Sequence, residues 1–338
     1  MDPDTLAATT AFVRRLPKTE THLHLEGALP YELLRGVDPE RFARVPASWA
    51  ADYRFRSFDE FDQLIIGMLS PWFTSAARYH EAAVQIFRRL AEQNVRYVET
   101  SFHLPIVQFI PERGDAILQA ILEAAPAGMT VRVFAGLVRD CHTGDMPAVI
   151  ADALRWKWLA GVDLHGHETL PLEDWTADVW RRARNADKET KAHAGEFGGA
   201  ANVRVAVERL GVRRVQHGVR AIEDSGVVEF LVREGVTLDV TPISNVKLAV
   251  APSLREHPLR RLMAAGVRCT VSTDDPLIFG NTLTDEYVGL AAEAGFTSAE
   301  LVQVARNGFL AGTMSAAVRD AALRELASLG REAGPVAE

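Results

Sequence analysis

The sequence predicts an α/β protein, a (β/α)8 TIM barrel with a helical insertion after the first strand. Two observations carry this expectation. First, a helical stretch that ends in Gly-Val and passes into a short β-rich run recurs in "LAGVDLHG" (159–166), "RLGVRRVQHG" (209–218), "REGVTLDVTPIS" (233–244) and "AAGVRCTVSTDD" (264–275). Glycine just past a helix takes the left-handed conformation that closes it, and the β-branched run that follows reads as strand. Second, "THLHLE", "NVRYVETSF", "TVRVFAGLV" and "ETKAHAGE" raise the strand candidates to eight, most of them separated by one helix. Such alternation means a parallel sheet of βαβ units, and eight units in a chain of this length favour a closed barrel.

The helices follow from apolar periodicity. In 81–91, Ala83, Val84, Phe87, Leu90 and Ala91 fall on one face, and in 201–210 Val203, Ala206, Val207 and Leu210 do the same. Spacing breaks once: about 70 residues separate the first strand from the second, including "SFDEFDQLIIGML" and a helix from His80. Residues 30–90 therefore read as a helical lid over the barrel mouth, and residues 285–330 as helices that close the barrel. No Gly/Ser linker or low-complexity stretch divides the chain, so 1–338 reads as a single domain.

Composition narrows the function. The chain has 338 residues and a formal charge of −8, with no long Lys/Arg cluster, which argues against a nucleic-acid partner. No apolar run reaches the roughly 20 residues of a membrane span, and the acidic start "MDPDTLAATT" lacks a secretory h-region. Only Cys141 and Cys269 are present, outside any CxxC spacing. A cytoplasmic protein without disulfides or a thiolate zinc site is expected. A homo-oligomer is compatible with the sequence.

The unusual polar residues collect at strand ends. "KTETHLHLEGAL" places His22 and His24 two apart, so both side chains point to one side of a strand. "HGHE" (165–168) ends the fourth strand, His193 and Glu196 the fifth, His217 the sixth, and Asp274 and Asp275 the eighth. In a barrel these ends share the face that carries active sites. His22, His24, His193 and Asp274 form an N/O set that suits one Zn²⁺ with room for a water, whose pKa the metal lowers towards about 7. Glu196 is placed to move a proton, and His217 to orient or deprotonate the water. Asp275, beside Asp274, is expected to face substrate. His80 and His257 read as surface or capping residues, and Lys191 as half of an ion pair with Glu189. Trp156, Trp158, Trp175 and Trp180 read as packing, with lid aromatics near 58–72 covering the substrate.

At these residues the chain resembles the adenosine deaminase family of the amidohydrolase superfamily. The likeness runs in order through "THLHLEGAL", "GVDLHGHE", "AHAGE", "VQHGVRAIED", "TPISNVKL" and "VSTDDPLIFGNTL", over about residues 16–315. It implies zinc on His22, His24, His193 and Asp274, and hydrolytic removal of a 6-amino group from a purine to leave the 6-oxo product and ammonia. By matching position, Glu196 would protonate the ring nitrogen beside the reacting carbon, and His217 would act on the water and steady the tetrahedral intermediate. Asp275 would position the water or bond the purine's imidazole nitrogen, and the Gly166 backbone would meet the purine's other edge. Glu26 stands where the animal nucleoside enzymes carry an Asp that meets the ribose 5′-hydroxyl. His167 replaces the family's usual Asp, and His165 and His103 are further departures; His165 and His167 enter as substrate-contact candidates.

The overall likeness favours an adenosine-like nucleoside as substrate. Free adenine and a larger 6-aminopurine nucleoside such as aminodeoxyfutalosine are the alternatives. A different metal hydrolase on the same barrel and a non-catalytic purine-binding relative are the readings from other classes.

Overall fold

A computed structural model describes residues 1–332. Eight parallel strands run in the order β1 (Lys18–His24), β2 (Val95–His103), β3 (Thr130–Val138), β4 (Gly161–His165), β5 (Glu189–Ala194), β6 (Arg214–His217), β7 (Thr237–Val240) and β8 (Arg268–Val271). All eight correspond to the runs read from the sequence. Closure comes at one point just past β8, where the Asp274 amide donates to the His22 carbonyl (3.0 Å) and His24 donates back to Asp274 (3.1 Å). The (β/α)8 barrel is thus nearly closed, and its seam brings the ends of β1 and β8 together.

Between successive strands the outer ring is formed by the helices Ala76–Glu92, Gly114–Glu123, Met146–Ala153, Asp174–Asn185, Ala200–Leu210, Ser225–Glu234 and Leu259–Ala264. Ser298–Ala311 packs on β8 and β1 to complete the ring, and Ala316–Glu332 lies against it. Gly211 (φ 65°) and Gly235 (φ 64°) end their helices in the left-handed conformation, as the recurring unit demands. Gly161 does not. It opens β4, and a Cβ there would lie 2.0 Å from the Glu189 carbonyl oxygen, so close strand approach is what requires glycine.

The face expected for Ala200–Leu210 is buried as read. For Ala76–Glu92 the stripe is rotated: Tyr79, Ala82, Ala83, Ile86, Phe87 and Leu90 are buried, while Val84 and Ala91 are exposed. This helix packs on β2 and on Gly114–Glu123, so it belongs to the ring rather than to a lid reaching residue 90. The inserted segment comprises the turn Glu26–Ala28, the helices Tyr31–Val37 and Phe58–Leu69 and the short turn Ala47–Trp49. It is pinned over the C-terminal strand ends by Ser48 Oγ on Ile278 O (2.6 Å), Trp49 Nε1 on Leu277 O (2.8 Å) and Lys247 Nζ on Ala50 O (2.9 Å).

The barrel's waist is polar. Arg214 grips both oxygens of Asp239 (2.8 and 3.0 Å), Glu99 takes bonds from Arg214 and Tyr97, and Lys191 pairs with Glu99 and donates to Thr21 O (2.8 Å). The partner expected for Lys191, Glu189, is taken instead by Arg132. Glu189 and Arg132 meet at the start of their strands, whereas Lys191 points inward, where Glu99 is the acid within reach. Cys141 and Cys269 are buried free thiols. No helix among the described residues is long and apolar enough to cross a membrane.

Candidate active site

A bulge in β1 aims the first two imidazoles. Glu20 pairs with Val98 but Leu23 with Thr100, so Thr21 and His22 together face the single residue Glu99. Thr21 bonds Asp239 in the waist (3.0 Å), while His22 and then His24 turn to the mouth. There His193 Nε2 lies 3.1 Å from both His22 Nε2 and His24 Nε2. Asp274 Oδ1 is 3.4 Å from the first and 3.3 Å from the second. Ligands about 2.0–2.1 Å from a tetrahedral ion stand about 3.3 Å apart, so this spacing suits a zinc-sized cation.

The opposite ring nitrogens support that fit. His22 Nδ1 bonds the Asp239 carbonyl (2.9 Å) and His193 Nδ1 the Leu164 carbonyl (2.8 Å). A carbonyl only accepts, so both rings carry their proton at Nδ1 and turn an Nε2 lone pair inward. Asp274 has φ 67°, a left-handed conformation rarely adopted by a non-glycine residue, and its Oδ2 is held by Ser244 Oγ (2.6 Å). His217 Nε2 also faces this cluster, 4.0 Å from Asp274 Oδ2.

Glu196 sits on the turn after β5. Burial, reinforced by the Asp274, Glu168 and Asp275 carboxylates, pushes its carboxyl well above the usual range and so favours its neutral form. Its Oε1 is buried without a protein partner, and Oε2 lies 3.4 Å from His217 Nε2. The turn is held by Glu168, whose carboxylate accepts the backbone N–H groups of Gly195 (2.6 Å), Glu196 (3.0 Å), Phe197 (2.8 Å) and Gly198 (2.8 Å).

Asp275 also leaves a buried oxygen, Oδ1, unpaired. Gly27 makes room for it, since a Cβ on Gly27 would lie 1.6 Å from that atom. Glu26 is past the end of β1 and does not extend the histidine row. It is buried, and its Oε1 takes both Tyr79 Oη (2.6 Å) and the His103 amide (2.9 Å). His165 lies between His24 and His103, its Nδ1 3.3 Å from His24 Nδ1 and its Nε2 3.3 Å from His103 Nδ1. His167 stands apart from the converging groups: it bonds Asp59 of the helix Phe58–Leu69 (3.0 Å) and lies against Phe58. Gly166, with φ 78°, occupies the bend between these two histidines.

Of the lid aromatics, Phe58 reaches Phe197 beside Glu196, whereas Trp72 is buried and stacked under Arg78. Trp158 is exposed rather than packed, and Trp180 is fully buried. Sequence reasoning assigned no role to Glu168, Ser244, Thr241 or Asn245, although all four stand in motifs it singled out. All four act through hydrogen bonds to groups that only the folded barrel brings beside them, which periodicity does not show. His257, read as a surface or capping residue, is not at the surface: it is buried, accepts the N–H of Leu259 at the start of a helix and bonds Asn245 (3.1 Å).

Inward-facing imidazoles and two buried acids, Glu196 and Asp275, each with an unpartnered oxygen, gathered at the C-terminal mouth define a hydrolase of the (β/α)8 barrel class. A family model described as adenosine deaminase matches residues 17–329, and the chain belongs to that family of hydrolytic deaminases. The adenine deaminase of Chlorobium luteolum is 30% identical over 344 residues, covering 98% of this chain and 99% of that one. The crystal structure of adenine deaminase from Arthrobacter aurescens superposes with a TM-score of 0.82 at 26% identity, covering 94% of this chain and 99% of its own. An amidohydrolase from Burkhoderia ambifaria, crystallised with bound zinc, shares the fold (TM-score 0.80, 24% identity, 97% and 95% covered).

Proposed function

We propose that this protein removes the 6-amino group of free adenine by zinc-dependent hydrolysis, consuming water and giving hypoxanthine and ammonia. The observation that carries the chemistry is Glu196: a buried acid with an unpartnered oxygen, its proton affinity raised by burial, beside inward-facing imidazole lone pairs. In choosing the free base, the proposal departs from the nucleoside that the overall likeness favours. It is supported by the adenine deaminases among the relatives. It is supported too by Glu26, whose position would read a ribose hydroxyl but whose Oε1 is committed to Tyr79 and His103.

His22, His24, His193 and Asp274 would hold the zinc, which supplies a water of lowered pKa. Glu196 donates its proton to the ring nitrogen next to the reacting carbon as water attacks there. The water's proton passes to Asp275 and on to the amine, which leaves as ammonia, while the new hydroxyl returns a proton to Glu196 and becomes the 6-oxo group. The Glu168 clamp keeps that acid from drifting, because four backbone N–H groups fix the turn that carries it. Asp275 Oδ1 accepts a hydrogen bond from the water or the purine's imidazole edge, and the Gly166 backbone meets the opposite edge. Phe58 excludes bulk water, which strengthens each of these interactions. His165 borders the substrate from the His24 side, and His167 latches the insertion through Asp59.

The test is ammonia release by zinc-loaded protein from adenine, adenosine, deoxyadenosine and aminodeoxyfutalosine. Adenine should give the highest kcat/KM. Preference for a nucleoside would reverse the substrate reading and keep the chemistry, whereas silence on all four with zinc bound would reject both.

A further inference from the structure

His217 faces the same cluster as the three imidazoles among the four expected ligands, and its Nε2, like theirs, is directed into the site. Distance alone does not separate it from them, since His22, His193, His217 and Asp274 also lie close enough together to hold a metal. The hydrogen-bond chain behind it does separate it. That chain begins at a backbone amide, whose direction is fixed. The N–H of Leu259 donates to His257 Nδ1 (3.1 Å), so His257 carries its lone pair there. Burial pushes the His257 imidazolium down to about 3, so the ring is neutral and its proton is on Nε2. That proton goes to Asn245 Oδ1 (3.1 Å), which sets the amide with its NH₂ towards His217. Asn245 Nδ2 then donates to His217 Nδ1 (3.2 Å), and the Thr241 hydroxyl lies 3.0 Å from the same nitrogen. His217 Nδ1 must be an acceptor, which leaves the hydrogen on Nε2, directed into the site.

We propose that His257 and Asn245 are positioning residues that lock His217 in its Nε2–H form. His217 then acts as a hydrogen-bond donor to the attacking oxygen, neither ligating the metal nor accepting the water's proton. His22 and His193 are wired the opposite way, with Nδ1–H on carbonyls and Nε2 lone pairs inward. Backbone placement reinforces the lock: His217 has φ 61°, and His217, Asn245, Thr241 and His257 are all buried. The catalytic consequence rests on the deaminase reading above; the tautomer does not.

Asn245→Asp tests this with no change of shape. The carboxylate still accepts from His257 but also accepts from His217, which draws the proton to Nδ1. In zinc-loaded protein labelled with ¹⁵N-histidine, long-range ¹H–¹⁵N correlation should show His217 protonated at Nε2 in the parent and at Nδ1 in the variant. Zinc should stay at one per chain, kcat should fall about 10²–10³-fold as for loss of a transition-state donor, and KM should move less than about threefold. A second pair separates wiring from packing: His257→Gln keeps a donor near the Nε2 position and should retain most of kcat, whereas His257→Leu should lose about tenfold or more. A parent His217 protonated at Nδ1, or full activity in both Asn245→Asp and His257→Leu, would overturn the assignment. Absence of turnover on every 6-aminopurine would defeat the deaminase reading instead, and the NMR result would still decide the tautomer.

Discussion

Two clusters of buried charge occupy the same barrel, one at its waist and one at its mouth. At the waist Glu99, Lys191, Arg214 and Asp239 pair among themselves, with Tyr97, Thr21 and Thr270 supplying further bonds. At the mouth three Nε2 atoms face one another, and Glu196 Oε1 and Asp275 Oδ1 have no partner. Both clusters are buried to a similar degree, so burial does not mark function. What differs is the bonding capacity left over. A closed ion network is structural, because removing one member strands its partners, while an open set of aligned donors and acceptors awaits a ligand.

Substitutions should break the two clusters in different currencies. Glu196→Gln is expected to lower kcat about 10²–10⁴-fold, the worth of a general acid, with zinc content and unfolding midpoint unchanged; loss of zinc together with activity would make Glu196 a ligand. Arg214→Met should do the reverse. Leaving Glu99 and Asp239 short of a cation costs about 3–5 kcal/mol in denaturant unfolding, with zinc per folded chain retained. Normal stability in that variant would show that the waist network is dispensable.

A smaller effect is expected from pH. Although burial alone would raise it, Arg214 and Lys191 hold the Glu99 carboxyl at about 2, below its ordinary 4.5. Its contribution to stability is therefore complete above pH 4.5 and is lost as pH falls from there through 2. Glu20 runs the other way. Burial lifts its carboxyl to about 7, opposed by bonds from Thr273, so its contribution is full below 4.5 and is lost as pH rises through 7. Glu20→Gln should flatten stability between pH 4.5 and 7 and leave the acid limb in place, as read by unfolding curves across that range. The smallest effect is at Ala249, exposed with φ 57°: Ala249→Gly should raise stability by about 1 kcal/mol through relief of a left-handed alanine.

Much of this was legible in the sequence, and the reasons are physical. Strand starts could be read because Gly211 and Gly235 announce helix closure and β-branched runs follow them. The converging residues could be read because histidines and acids at strand ends have few other reasons to share a barrel's mouth, as His22, His24, His193 and Asp274 do. Pairing across the barrel was not legible. Lys191 reaches Glu99 rather than Glu189 because of strand register and the direction each side chain faces, neither of which local sequence specifies. The bulge that turns both Thr21 and His22 inward is equally silent, since alternation predicts one inward residue of the two. His257 was misplaced because a buried neutral imidazole and a surface one look alike in sequence; only Asn245 behind it tells them apart.

The most direct measurement is a zinc titration of chelator-stripped protein, following metal bound and adenine consumed together, in the parent chain, His193→Ala and Arg214→Met. Activity should rise with zinc and stop at one equivalent per chain in the parent, stay absent in His193→Ala, and follow the parent's stoichiometry in folded Arg214→Met. Unimpaired zinc binding by His193→Ala, or adenine turnover that survives stripping, would contradict the assignment of the open cluster as the metal centre of a deaminase.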